Sequence, residues 1–118
     1  MKIKKAIIYH NPNCTTSRDV LKILNKKNLN IKVINYMKNP LDKEQLLCLL
    51  KTLSIKPKDL IRKRDLVFKT LQLNNFLEDD EYLIDKMIEF PKLINRPIVL
   101  IGDKGKLCRP SKKIFDLI

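Results

Sequence analysis

Strand, helix and strand follow one another within residues 3–36, and this pattern constrains the chain more than any other feature. Residues 3–9, IKKAIIY, are apolar toward their C-terminal end and predict a buried strand. The chain then turns through Asn11-Pro12-Asn13 and delivers Cys14. Thr16-Ser17-Arg18-Asp19 fits the capping pattern of a hydroxyl residue followed three places later by an acid. Val20, Leu21, Ile23 and Leu24 supply one apolar helix face, and Lys26-Lys27-Asn28 closes it with cations that complement the helix dipole. Residues 31–36 read as a second strand, ended by Asn39-Pro40. So short a span commits this part of the chain to a βαβ unit with parallel strands and a right-handed crossover.

The middle of the chain reads as helical. Asp42 precedes an apolar face of Leu46, Leu47, Leu49, Leu50 and Leu53, and Cys48 is expected within it as a core residue. A shorter helical piece starts near Pro57 and runs through Asp59-Leu60-Ile61-Arg62; another includes Val67, Phe68 and Leu71. Glu78-Asp79-Asp80-Glu81 suits a helix N-terminus, continued by Leu83, Ile84, Met87 and Ile88 up to Pro91. Strands return at residues 97–101 and 106–108, a hairpin with Gly102 and Gly105 both expected in its turn. Ser111 is positioned to cap a last helix carrying Ile114, Phe115, Leu117 and Ile118. The resulting order, βαβ, a helical block, then ββα, is that of a thioredoxin-like α/β fold with an inserted helical subdomain. The reading is a single domain over residues 1–118, with its core at about 1–38 and 92–118 and the insert at about 40–91.

Composition narrows the function. A single domain of 118 residues with 44% hydrophobic and 32% charged residues matches a soluble globular protein rather than a disordered one. No apolar run is long enough to span a bilayer, and no long apolar segment follows the basic N-terminus, so a cytoplasmic location is expected. The net charge of +12 raises the question of nucleic acid. Its lysines are spread along the chain, without a basic stripe interleaved with aromatics, and nucleic-acid binding is not expected. The composition is instead one rich in Lys, Ile and Asn. Three scattered cysteines, Cys14, Cys48 and Cys108, form neither a C-x-x-C pair nor a disulfide framework. With a single histidine they match no usual zinc spacing either.

Cys14 falls where the first strand ends and the first helix begins. Free backbone N–H groups and the positive end of a helix dipole stabilise an anion there, and open α/β sheets bind ligands at that edge. A thiolate is such an anion, so the Cys14 pKa is expected below its ordinary value. Thr15, Thr16 and Ser17 add hydroxyls, and Arg18 or His10 can add positive charge. An unremarkable loop cysteine remains the competing reading at this point. Cys108, beside Arg109, is read as structural. Arginine adds weight to the functional reading, because the chain has twenty lysines and only five arginines: Arg18, Arg62, Arg64, Arg96 and Arg109. Two of these stand in Arg-Pro pairs, in LINRPIV and LCRPS. A guanidinium binds tetrahedral oxyanions through a planar fork that lysine lacks.

YHNPNCTTSR, LIRK, LINRPIV and LCRPS, in this order and spacing, resemble the signature segments of the glutaredoxin-coupled arsenate reductase (ArsC) family. The likeness runs from Lys4 to Ile118. It excludes the unrelated phosphatase-like reductases, whose C-x₅-R loop would need arginine where Val20 stands. The resemblance implies Cys14 as nucleophile, Arg62, Arg96 and Arg109 as an oxyanion clamp, and His10 as the histidine that helps hold the thiolate. It also implies a cis bond before Pro97, which X-Pro bonds adopt readily.

The implied reaction is glutathione- and glutaredoxin-dependent reduction of arsenate to arsenite through a Cys14 thiol-arsenate adduct. It involves no bound cofactor, and a monomer is expected. KRDLVFKTLQLNN and FPKLI also look like a sister group of arsenate-reductase-like proteins of unassigned substrate. Spx-type regulators, which bind RNA polymerase, share the fold but carry a C-x-x-C switch that Cys14-Thr15-Thr16-Ser17 lacks.

Overall fold

The computed structural model describes residues 4–118. Ile3, the expected first residue of the opening strand, lies outside the described residues with Met1 and Lys2. Strand β1 (Lys4–His10) leads into helix α1 (Thr15–Asn25) and strand β2 (Leu29–Asn35), which pairs with β1 in parallel. After the helical segment the chain returns as β3 (Ile98–Ile101) and β4 (Lys104–Leu107). Both pairings of β3 are antiparallel, and the sheet runs β2-β1-β3-β4. A 3₁₀ turn at Ser111–Asp116 follows. This is the thioredoxin-like order, with α1 and the last turn packed against one another and against the sheet.

Alternation along the strands decides which face is covered. Ala6 and Ile8 of β1 point to the same side as Val99 and Ile101 of β3, and all four are buried. Val20 and Leu24 of α1, one turn apart, close over them with Cys108 and Ile114. Each fully buried aliphatic side chain of this kind contributes about 1.5–3 kcal/mol.

The chain divides into two compact units, Met1–Asn39 with Arg96–Ile118, and Pro40–Asn95. The second holds α2 (Lys43–Leu53), α3 (Pro57–Leu60), α4 (Leu66–Thr70), α5 (Asp80–Glu89) and 3₁₀ turns at Leu73–Phe76 and Pro91–Leu93. Residues 92–95, expected with the sheet, group instead with the helices. The reason is a short antiparallel bridge, Ile61 to Ile94. Its ladder has Arg62 N–H donating to the Leu93 carbonyl at 2.7 Å and Asn95 N–H to the Leu60 carbonyl at 2.9 Å.

Several local expectations change. Cys14 itself is the N-cap of α1, so Thr16 lies inside the first turn and caps nothing. Leu46, Leu49 and Leu50 are buried, whereas Leu47 and Cys48 are exposed. Helices advance about 100° per residue, which places Cys48 opposite the face centred on Leu46 and Leu50. Gly102 alone occupies the hairpin turn, at φ +63°; Gly105 lies in β4 opposite Leu100. Cys108 falls just beyond β4. Pro110 rather than Ser111 is the N-cap of the last helical turn, which is 3₁₀, and only Ile114 of its expected apolar set is fully buried. Phe115 and Ile118 are exposed.

Candidate active site

The turn between β1 and α1 is built to hold one residue still. Asn11 is buried; its side-chain oxygen accepts the Asn13 N–H at 3.0 Å, and its carbonyl accepts the Cys14 N–H, also at 3.0 Å. These two bonds fold Asn11-Pro12-Asn13 back on itself, as asparagine does in tight turns. Cys14 then takes extended dihedrals, φ −99° and ψ 121°, while its carbonyl accepts the Arg18 N–H of the first helical turn. The following amides belong to the helix end that lacks internal acceptors. The sulfur closes no regular cap bond, but the Ser17 N–H is directed toward it.

The arginines come from the open end of the C-terminal hairpin, just before β3 and just after β4. Arg109 Nη1 donates to Cys14 Sγ at 3.5 Å and to the Arg96 carbonyl at 3.2 Å. The two arginine segments are clasped by the Cys108 N–H, which donates to the Pro97 carbonyl at 2.9 Å. Both Arg96-Pro97 and Arg109-Pro110 are cis, the first as expected and the second not anticipated.

Electrostatics at the sulfur run in opposed directions. Burial pushes the Cys14 thiol up; the Ser17 N–H, hydrogen bonding from Arg109 and Arg96, and the Arg109 charge together outweigh it. The net result is a lowered pKa, which enlarges the thiolate fraction near neutrality.

His10 differs from the sequence expectation of a nearby positive charge. Burial, and then repulsion from Arg18, lower its pKa, so its imidazole is neutral at pH 7. It reaches the site through Ser17, which is completely buried. The Ser17 Oγ lies 2.5 Å from His10 Nδ1 and accepts the Asn11 N–H at 3.1 Å. Ser17 is therefore the residue whose role sequence reasoning under-read: its contribution is the amide and the clamp on His10 and Asn11. The signal available was its place three residues after the cysteine.

Cys14, Arg96, Arg109, Ser17 and His10 thus come together in the sheet unit. Arg62 belongs to the helical unit, where its amide joins the bridge to Leu93. Cys108 is buried beside Arg109, and burial pushes its thiol up to about 12. It stays protonated at neutral pH and is inert as a nucleophile. Among the described residues no group of three or more metal-ligating side chains occurs.

Fold and site together define a thioredoxin-like protein in which one activated cysteine, lacking a C-x-x-C partner, faces arginine. The chain belongs to the ArsC family, whose sequence pattern matches residues 9–117. It is 39% identical over 111 residues to an arsenate reductase of Escherichia coli, covering 94% of this chain and 79% of that protein. It is 34% identical over 116 residues to YfgD of Escherichia coli K12, an uncharacterized protein, covering 98% of each. A structure described as an arsenate reductase from Vibrio cholerae superposes with a TM-score of 0.93 at 30% identity, covering 99% of this chain and 100% of that one.

Proposed function

We propose that this protein reduces arsenate to arsenite with glutathione as the thiol donor and glutaredoxin as the recycling partner. The observation that carries the reading is a thiolate-prone Cys14 with the Arg109 guanidinium on its sulfur and Arg96 alongside. Arginine forks match the paired oxygens of a tetrahedral oxyanion. Family membership and the arsenate reductase named among its relatives support this substrate.

The chemistry follows from the residues. Arsenate is held by the guanidinium groups, which offset its charge as the Cys14 thiolate approaches. Sulfur attacks arsenic and an arsenic-bound oxygen leaves as water or hydroxide, giving a thiol-arsenate adduct. Glutathione thiolate then attacks the Cys14 sulfur. A disulfide forms, the sulfur–arsenic bond breaks, and its electron pair stays on arsenic, which falls from the pentavalent to the trivalent state. Two thiols have lost two electrons and arsenic has gained them. Glutaredoxin resolves the mixed disulfide by exchange, so no second cysteine is needed beside Cys14.

The similarity to YfgD over 98% of both chains favours a second reading, a glutathione-linked thiol reductase of another substrate. One experiment separates the two. Arsenate-dependent NADPH oxidation is measured through glutathione reductase, glutathione and glutaredoxin, in the native protein and in Cys14→Ser. Turnover that disappears in the variant is the expected result. No turnover, with Cys14 still alkylating rapidly at neutral pH, removes arsenate and keeps the thiol reductase; no turnover with sluggish alkylation removes both.

A further inference from the structure

One cation at the mouth of the site has no task in this scheme. Arg18 is exposed on the first turn of α1, yet its guanidinium is doubly tethered. Nη1 donates to the Pro12 carbonyl at 2.8 Å and Nη2 to Thr15 Oγ1 at 3.2 Å. Pro12 and Thr15 stand on either side of Cys14 in sequence, so the guanidinium sits on the rim of the turn that presents the sulfur. Its charge is felt inside the turn, at His10. Long exposed side chains ordinarily lose rotamer freedom when a ligand fixes them, and these tethers remove much of that cost beforehand. A guanidinium carries five N–H donors, and the two tethers use only two. Among the described residues no carboxylate pairs with Arg18, whereas Lys43 holds two and Lys58, Lys86 and Lys106 one each.

We infer that Arg18 is the docking point for a carboxylate of the thiol that attacks Cys14, and that it selects an anionic thiol over a neutral one. The inference rests on Cys14 being the nucleophile and deepens the proposed use of glutathione, a thiol with two carboxylates. A guanidinium fork receives a carboxylate through parallel hydrogen bonds. With the carboxylate on Arg18, the thiol group is left beside the Cys14 sulfur, where exchange takes place. In that exchange the incoming thiolate forms a disulfide with Cys14, and the bond from Cys14 to its previous substituent breaks with its electron pair on the leaving atom. Arg18 takes no part in the bond changes.

The test needs no arsenate. In a Cys48→Ser background, which removes the exposed competing thiol, Cys14 is converted to its 2-thiopyridyl mixed disulfide. Release of 2-thiopyridone is then timed with glutathione and with 2-mercaptoethanol. An exposed carboxylate–arginine pair sets the scale: the glutathione-to-mercaptoethanol rate ratio is expected to fall about 2- to 5-fold in Arg18→Gln. Arg18→Lys, which keeps the charge and loses the fork, is expected to recover part of that ratio. A ratio unchanged in Arg18→Gln, whatever the separate rates do, overturns the inference. So does a ratio in Arg18→Lys no higher than in Arg18→Gln, since the loss would then come from the loop tethers alone. Charge selectivity in a protein inactive toward arsenate would keep Arg18 in this role and remove only the substrate.

Discussion

The hydroxyl of Ser17 offers one proton and two lone pairs, and its buried neighbours compete for them. One lone pair receives the Asn11 N–H. Ser17 Oγ and His10 Nδ1 share the other hydrogen bond, in which donor and acceptor follow the imidazole tautomer. Ser17→Ala strands both partners in a dry place, at a cost of about 1–3 kcal/mol. A lower Tm and slower iodoacetamide alkylation of Cys14 are the expected readouts; unchanged alkylation would separate Ser17 from the sulfur. Cys108 gives a pH signature of opposite origin. Its folded pKa of about 12 lies above the value in the unfolded chain, so the unfolded state releases its proton first. Stability therefore falls as pH rises from about 9 toward 12, and the loss reaches about 1.4 kcal/mol at pH 10. Urea denaturation at pH 7 and pH 10 is expected to show that loss in the native protein and a smaller one in Cys108→Ala. That Arg96 and Arg109 would lie near Cys14 was legible in the sequence, because the Arg-Pro pairs stand out from a lysine-rich background. Ser17 was read only as a hydroxyl donor, since sequence does not show that its amide and burial carry the effect.

At the scale of elements, α2 carries the most complete local code. Asp42 accepts the Gln45 N–H at 2.8 Å, and the Gln45 side chain accepts the Asp42 N–H at 3.0 Å, a reciprocal capping box. Asp42→Ala is expected to cost about 0.5–2 kcal/mol, seen as a fall in the urea midpoint with an unchanged m-value. A change in m would mean a helical unit that opens separately. The start of α1 looked equally clear from Thr16 and Asp19 and was not. There the turn through Asn11 and Asn13 brings the chain into the helix one residue after Cys14, overriding the local pattern. Cys48 was misplaced for a simpler reason: a dense run of leucines hides the helical period that sets Leu47 and Cys48 off the buried face. Likewise, glycine is required in the hairpin only at Gly102, where φ is positive and a side chain would be strained though it would meet no atom.

For the molecule as a whole, the element order alone was enough to read the thioredoxin-like sheet, because β-branched strands and a short βαβ unit leave few topologies open. The helical unit's reach to Asn95 was not legible, since it depends on a two-residue bridge between Ile61 and Ile94. Charge has a global consequence. With 25 basic against 13 acidic residues, the folded chain repels itself. Raising salt from about 0.01 to 0.15 M shortens the screening length from about 30 to 8 Å, and the Tm is expected to rise. A Tm that falls instead would mean that the surface ion pairs outweigh the repulsion.

The contact between Arg109 and Cys14 joins residues 95 positions apart. During synthesis the cysteine leaves the ribosome ahead of the arginine by about 5 to 20 seconds, at about 5–20 residues per second. Through that interval it lacks the guanidinium that helps draw its proton away, so the nascent chain carries a less acidic thiol than the finished fold does. The arginine share of its activation is acquired only when the hairpin closes, on top of what the Ser17 N–H supplies within α1, so a chain truncated before the hairpin is expected to be the weaker nucleophile.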